Sequence, residues 1–158
     1  MKLRSNPIGQ RRGTAAVELA VCAPLLLVLL SGVWEVGRMV SAQQLIANAA
    51  REGGREVAAA QHSATTIQQY VVNYCNMNGL SNVNASMVTI TNITNASRSD
   101  PTTANQLDQF RVTLTVPYSS IKWSNIAQIT STSSITASAD WYSMKDSPIT
   151  VNTVIPPN

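Results

Sequence analysis

The hydrophobic and polar residues of this chain follow a helical pattern over the first 60 residues. Residues 13–34 carry one charged side chain, that of Glu18, and are otherwise apolar or small. Residues 35–60 contain no proline, many helix-forming residues, and opposite charges three residues apart. We therefore predict one continuous helix from about Ala15 to Ala60. Gly53-Gly54 is the expected weak point or bend of that helix, because glycine lowers helix stability.

Beyond residue 60 the pattern predicts a short helix followed by strands. Residues 65–77 place apolar side chains at helical spacing and end before Asn78-Gly79. Three later stretches alternate apolar and polar residues, as strands with one buried face do. These stretches are residues 88–91, 110–116 and 135–141. Residues 121–129 fit a helix or a strand. The predicted fold class is α+β, with a long N-terminal transmembrane helix that continues outside the membrane, a second short helix, and a small antiparallel sheet of three or four strands.

The length of the apolar stretch decides whether it spans a bilayer. Residues 13–34 extend roughly 33 Å as a helix, against a hydrocarbon core of about 30 Å. Glu18 must then lie at or inside one edge of the membrane. Four basic residues precede the stretch, and this distribution places the N-terminus in the cytoplasm and the remainder outside. These are Lys2, Arg4, Arg11 and Arg12. We predict a single-pass membrane protein; a buried core helix is the weaker interpretation.

The charge of the chain argues against a nucleic-acid partner. The formal net charge is +3, but past Gly13 seven basic residues face all eight acids. The basic character therefore belongs to the N-terminal segment alone. From Gln61 onward, about two-fifths of the residues are Ser, Thr or Asn. Such a neutral, hydroxyl-rich surface suits an extracytoplasmic domain and carries no focused field for a charged ligand. We expect no small-molecule substrate.

The sequence contains no recognisable catalytic or metal-binding pattern. His62 is the single histidine, and no serine lies in a catalytic motif. Cys22 falls in the apolar stretch and Cys75 in the external domain, so they are not expected to bond within one chain. Cys75 is expected to be buried; a crosslink between subunits is the alternative. We predict no enzyme activity, no cofactor and no metal. An exported hydrolase is the remaining enzymatic hypothesis, and it would require His62.

Three export signals fit the N-terminal segment less well than a retained anchor. A cleaved secretory signal has a small-residue site at Val40-Ser41-Ala42, but charges precede that site. A twin-arginine signal fits Arg11-Arg12, but bulky apolar residues do not follow at once. A lipoprotein signal would use Cys22, yet the apolar run lies on the wrong side of it.

Glu18 needs a partner if it lies in a membrane. Inserting an acid at the centre of a membrane helix costs about 2.5–3.5 kcal/mol. The first cation after it in the chain is Arg38. Cleavage after Gly13 would create an α-amino group at Thr14, four residues before the carboxylate. An amine on an adjacent subunit reaches the carboxylate better than one on the same chain.

This spacing resembles that of type IV pilins and, in more detail, the TadE-like family of tight-adherence (Flp-type) pilus assembly. The pattern is a glycine, a glutamate five residues on, a proline, an apolar run, E-x-G-R and then N-A-A-R-E. The matching residues are Arg12, Gly13, Val17, Glu18, Leu19, Pro24, Glu35, Gly37, Arg38, Asn48, Ala49, Ala50, Arg51 and Glu52. The resemblance covers residues 11 to about 55. Leu19 departs from the tyrosine of the major, much shorter pilins, which favours an accessory subunit.

The resemblance implies a minor pilin or pseudopilin in a bacterial plasma (inner) membrane. It implies cleavage between Gly13 and Thr14 by a prepilin peptidase. Glu18, Glu35 and Arg38 are then the assembly residues. The implied partners are membrane lipid, other pilin or pseudopilin subunits and the Tad apparatus. The alternative hypothesis is a single-pass anchored envelope binding module that forms no filament.

We therefore predict four segments. Residues 1–13 form a basic cytoplasmic leader, and residues 14–60 form the TadE-like transmembrane and extended helix. Residues 61–147 form an extracytoplasmic α+β domain, and residues 148–158 form a flexible tail.

Overall fold

A single long helix begins the structure, which is a computed structural model describing residues 8–121 and 133–145. This helix, α1, runs from Ile8 to Ala59 without interruption and contains Pro24. It begins before the predicted Ala15, within the basic leader. It ends where Ala60 adopts a left-handed backbone conformation, with φ 53°. The chain separates into two compact units, Met1–Met39 and Val40–Asn158.

The second helix, α2, spans Ala64–Met77 and confirms the helix predicted at residues 65–77. Its first turn is capped by Ser63, whose hydroxyl oxygen accepts a hydrogen bond from the Thr66 N–H at 3.4 Å. The helix stops at Asn78, and Gly79 follows with φ 96°, a conformation that favours glycine. Four side chains of α2 are buried, and they are Ile67, Val71, Val72 and Cys75.

Three strands form an antiparallel sheet in the order β1-β2-β3, which confirms the α+β prediction. They are β1 (Val88–Asn92), β2 (Gln109–Pro117) and β3 (Ser134–Tyr142). In the register, Ile90 pairs with Val112, and Val112 pairs with Ala139. The predicted ambiguity at residues 121–129 lies almost wholly outside the described residues, and so does the predicted tail at 148–158.

The core of the Val40–Asn158 unit lies between one face of the sheet and the two helices. The four apolar side chains of β2 are completely buried there, as the alternating pattern predicts; they are Phe110, Val112, Leu114 and Val116. Burying a large aliphatic or aromatic side chain contributes about 1.5–3 kcal/mol. The C-terminal part of α1 contributes small and branched residues to the same core, namely Ala42, Ile46, Ala49, Ala50 and Val57.

Gly53-Gly54, the predicted weak point or bend, is a site of close packing within an uninterrupted helix. α1 continues through both glycines to Ala59. A Cβ atom on Gly53 would lie 2.6 Å from Val71 Cγ2 of α2 and 3.3 Å from Val112 Cγ1 of β2. A Cβ atom on Gly54 would overlap the indole ring of Trp141 of β3. The glycines are therefore required by the approach of α1 to α2 and the sheet, and tertiary contacts offset their low helix propensity.

The connection between β1 and β2 is held by a buried polar group. The Asp108 carboxylate is 4% exposed and accepts hydrogen bonds from the Asn105 N–H (2.9 Å) and the Asn92 amide (3.1 Å). These two bonds lower the pKa of Asp108 below its ordinary value. A second carboxylate, that of Asp100, accepts the Ala64 N–H at 3.3 Å and so links this connection to the start of α2.

We predict that Gly54→Ala destabilises the folded protein by about 1–3 kcal/mol, the usual cost of overpacking. The added methyl group requires the Trp141 indole to move. The measurement is thermal or denaturant unfolding, followed by tryptophan fluorescence.

Gly37→Ala is the matched control for Gly54→Ala, since a Cβ atom at Gly37 meets nothing within 4 Å. It is expected to leave stability unchanged or to raise it slightly, because alanine favours the helix. Equal stability of the two variants would contradict the close packing of α1 on β3.

Candidate assembly surface on the N-terminal helix

The N-terminal part of α1 exposes apolar side chains on every side. Twelve large apolar residues between Val17 and Val36 each expose between 52% and 73% of their surface. They are Val17, Leu19, Val21, Leu25, Leu26, Leu27, Val28, Leu29, Leu30, Val33, Trp34 and Val36. An apolar patch of this extent is far larger than soluble monomers expose, and it indicates contact with lipid or with other proteins.

This helix is long and apolar enough to cross a membrane. The mean hydropathy of its most apolar 18-residue window is 2.3, and none of that window is buried within the protein. The helix lies near the N-terminus, as a membrane anchor of the predicted kind does. Pro24 lies within the stretch, and membrane helices tolerate proline better than soluble ones.

Glu18 lies on this apolar surface with an exposed side chain. Among the side chains that the structure describes, none forms a hydrogen bond or an ion pair with its carboxylate. Gly13 and Thr14 are exposed too, and both lie inside α1. The three residues that carry the predicted cleavage and register roles therefore share one exposed helical segment. Thr14 takes part in an interaction within the structure.

Glu35 and Arg38 lie further along the same helix. Glu35 is half-buried and Arg38 is exposed, and each takes part in an interaction. A separation of three residues places both side chains on neighbouring positions of the helix surface. Their predicted role in assembly remains a prediction.

A second group of charged residues on α1 is satisfied within the chain. The Arg55 guanidinium contacts Glu52 at 2.6 Å and Glu56 at 3.9 Å. The Glu52 carboxylate beside Arg55 raises the pKa of that guanidinium. Tyr70 of α2 donates its hydroxyl to Glu52 at 3.4 Å, which ties the two helices together. This group contributes to the surface of the fold, and its charged side chains contact one another.

His62 and Ser63 do not form the pair that a hydrolase would need. Nδ1 of His62 lies 3.4 Å from Glu56, and the Ser63 hydroxyl caps α2. Within residues 8–121 and 133–145, no group of three or more His, Cys, Asp or Glu side chains is placed to hold a metal ion. The prediction of a non-enzymatic protein stays a prediction.

The two cysteines occupy different environments and form no disulfide. Cys22 is exposed on α1, and Cys75 of α2 is completely buried in the core. Burial raises the pKa of the Cys75 thiol to about 11. The structure thus places Cys75 as a small core residue.

No pattern in the sequence predicted a concavity on the C-terminal part of α1. It measures about 420 Å³ and is lined by Gln43, Gln44, Ala47, Asn48 and Arg51. Polar residues at helical spacing have the pattern of a solvated helix face.

Comparison with known proteins supports the resemblance inferred from the sequence. A family model described as TadE-like protein matches residues 13–55, which are 43 of the 158 residues. The matched segment begins at Gly13 and includes Glu18, Glu35 and Arg38. No curated protein and no solved structure gives a significant match. This part of the chain is therefore TadE-like, and the sheet and α2 lie outside the match.

We predict that Cys75 resists alkylation by iodoacetamide at pH 8 in the folded protein. The thiol is shielded, and with a pKa of about 11 its reactive thiolate is scarce. The measurement is mass spectrometry of the alkylated protein with Cys22 replaced by alanine, with and without denaturant. Fast labelling of the native protein would contradict the burial of Cys75.

Proposed function

We propose that this chain is a membrane-anchored minor pilin or pseudopilin that assists assembly of a Tad (Flp-type) pilus or a related secretion machine. The TadE-like match over residues 13–55 supports a role in a Tad pilus-related system. The observation that carries the finer proposal is the Glu18 carboxylate, which lies in the apolar stretch of α1 and has no partner among the described side chains.

The apolar surface of α1 supports a membrane anchor. Side chains from Val17 to Val36 find no cover in the described protein, and lipid or neighbouring helices would cover them. The basic residues before Gly13 support an N-terminus in the cytoplasm of a bacterium, with the anchor in its plasma (inner) membrane. The domain of α2 and the sheet is then extracytoplasmic.

Glu18 gives the anchor its preference for assembly. In lipid an isolated monomer carries the full cost of this acid, about 2.5–3.5 kcal/mol at the membrane centre. Cleavage after Gly13 supplies an amine at Thr14. An amine on a neighbouring subunit that pairs with Glu18 removes the cost and fixes the axial register of two helices. A charged pair in lipid is strongly favoured because water does not screen it.

The partners of this function are other pilin or pseudopilin subunits, the Tad apparatus and a prepilin peptidase. Packing between subunits involves the exposed apolar side chains of α1, and Glu35 and Arg38 add polar contacts beyond them. We propose neither a substrate nor a cofactor, and the protein acts by assembly.

We predict that Glu18→Ala impairs assembly and leaves membrane insertion and folding intact. Loss of the carboxylate removes the pairing with the neighbouring amine, and recovery of the protein in crosslinked assemblies should fall at least about tenfold, which corresponds to 1.4 kcal/mol. The measurement is crosslinking in native membranes followed by quantitative immunoblotting.

Glu56→Gln is the control for this experiment, because Glu56 lies outside the apolar stretch and within the charged group that the chain satisfies itself. It should assemble normally. Normal assembly of Glu18→Ala would refute the register role and favour the anchored binding module.

We also predict that the protein recovered from its native membrane begins at Thr14. The measurement is intact mass together with N-terminal peptide mapping. Gly13→Leu is the matched variant and should retain the residues before Thr14. A wild-type protein that begins at Met1 would refute processing, and one that begins near Gln43 would indicate a secreted domain.

A further inference from the structure

The outer edge of β3 carries backbone groups for one more strand. In the part of the chain that the structure describes, β3 pairs with β2 and no strand lies beyond it. The Tyr118 N–H donates to Ser133 O at 2.8 Å, and the Ser143 N–H donates to Asp108 O at 2.9 Å. These bonds fix the phase of the ladder, in which alternate residues face β2. The N–H and C=O groups that face outward belong to Ser134, Thr136, Ser138, Asp140 and Tyr142.

The layer of core side chains is incompletely covered beside β3. The inward-facing side chains of β2 are fully buried, whereas those of β3 on the same face are partly exposed. Trp141 is 36% exposed, and the other three, Ile135, Ala137 and Ala139, are half-buried. A further strand with apolar residues on this face would cover all four.

The chain beyond Lys145 contains a segment with the pattern of such a strand. Residues 149–155 read I-T-V-N-T-V-I. One set of alternate positions holds only β-branched residues, which strands favour, and three of the four are apolar. These are Ile149, Val151, Thr153 and Ile155. Pro148 and Pro156 bound the segment, and proline marks the limits of strands because it cannot donate to a ladder.

The length of the segment matches the part of β3 that needs cover. Residues 149–155 are as many as residues 135–141, which run from the first to the last core-facing side chain of β3. The connection between the two would be residues 143–147, and hairpin loops of this length are common. So short a connection keeps the segment near its own β3, at an effective concentration on the order of millimolar.

We propose that residues 149–155 pair with the outer edge of β3 of the same chain as a fourth, antiparallel strand. The predicted sheet of three or four strands then has four. The proposal replaces the expectation of a flexible tail for these seven residues. It goes beyond filament assembly and does not depend on Glu18.

The two sequences select one register for this pairing. Ser138 lies opposite Asn152, so that outward-facing backbone groups of β3 meet those of the segment. The core-side pairs are Ile149 with Trp141, Val151 with Ala139, Thr153 with Ala137 and Ile155 with Ile135. Aromatic and β-branched residues stabilise such cross-strand pairs. A shift by one residue would turn the apolar positions of the segment to solvent.

A fourth strand would also protect the sheet from other chains. Open edges pair with neighbouring molecules unless short length, lysine, proline or a bulge prevents it. β3 has nine residues and contains neither lysine nor proline. The opposite edge, β1, has five residues, and its Val88 C=O accepts a hydrogen bond from the Gln68 side chain at 2.9 Å. The edge that lacks protection is therefore the one that residues 149–155 follow in the chain.

Paired cysteines test the register in the full chain in lipid nanodiscs, with Cys22 replaced by alanine. Ser138→Cys with Asn152→Cys should form a disulfide on mild oxidation, because opposed residues of this kind have Cα atoms about 5.5 Å apart. Ser138→Cys with Thr153→Cys is the matched control, since successive side chains point to opposite faces. Its yield should be at least about tenfold lower. Peptide mass spectrometry and a non-reducing gel identify a bond within one chain.

Proline substitutions in the segment test the pairing by hydrogen exchange and leave the described residues unchanged. In the proposed register the Asn152 N–H faces β3, and the Thr153 N–H faces away. Asn152→Pro should speed exchange of the outward-facing amides at least about tenfold, and Thr153→Pro should change it little. The amides to follow are those of Thr136, Ser138 and Asp140. The Val112 amide, which faces β3 from β2, reports whether the sheet itself stays intact.

Three results would overturn the proposal. The first is an equal disulfide yield from the two cysteine pairs. The second is unchanged exchange of the outward-facing amides in Asn152→Pro, which would leave residues 122–132 or no cover at all. The third is a disulfide found only between chains, which would assign the edge to the segment of a second copy. Glu18→Ala should leave the disulfide and the exchange rates unchanged, so that failure of this proposal and failure of the assembly role are distinguishable.

Discussion

The close approach of α1 to the sheet at Gly53 and Gly54 is the contact on which the folded domain depends. Side chains of α2, β2 and β3 lie closer to these two glycines than van der Waals contact with an added Cβ atom would allow. Any larger residue would separate the helix from the sheet and open cavities among the core side chains. Cavities and strain in a core each lower the free energy of unfolding by kilocalories per mole. Two glycines are therefore more stabilising here than larger residues, in spite of their poor helix propensity.

Helix α1 has two different surfaces along its length. Between Val17 and Val36 its side chains are apolar on all sides, and from Ala42 to Val57 a narrow face of small and branched residues is buried. The first surface is matched to lipid or to other helices, and the second is matched to one sheet. Glu18 interrupts the first surface, and its isolation is the physical basis of the proposed assembly role.

The two edges of the sheet differ in length and in how they are held. One edge, β1, has five residues, and its Val88 C=O accepts a hydrogen bond from the Gln68 side chain. The other edge, β3, has nine residues, and no strand pairs with its outer side among those that the structure describes. Arg111 of β2 and Asp140 of β3 pair across the exposed face, and the hydrogen bonds from Arg111 lower the pKa of Asp140.

The sequence by itself determined the secondary-structure elements and the TadE-like resemblance of residues 13–55. The run of apolar residues in α1, the helical spacing in α2 and the alternation in β2 are local patterns, and each predicted its element because helix and strand periods differ. The TadE-like resemblance could also be recognised from the sequence, because its residues lie close together in the chain. Tertiary structure decided the role of Gly53-Gly54. From the sequence alone a glycine predicts a weak point in a helix, and its packing role is visible only when its neighbours in space are known. Long-range packing brings Gly53 and Gly54 beside Val71, Val112 and Trp141, and spacing along a chain does not encode that proximity.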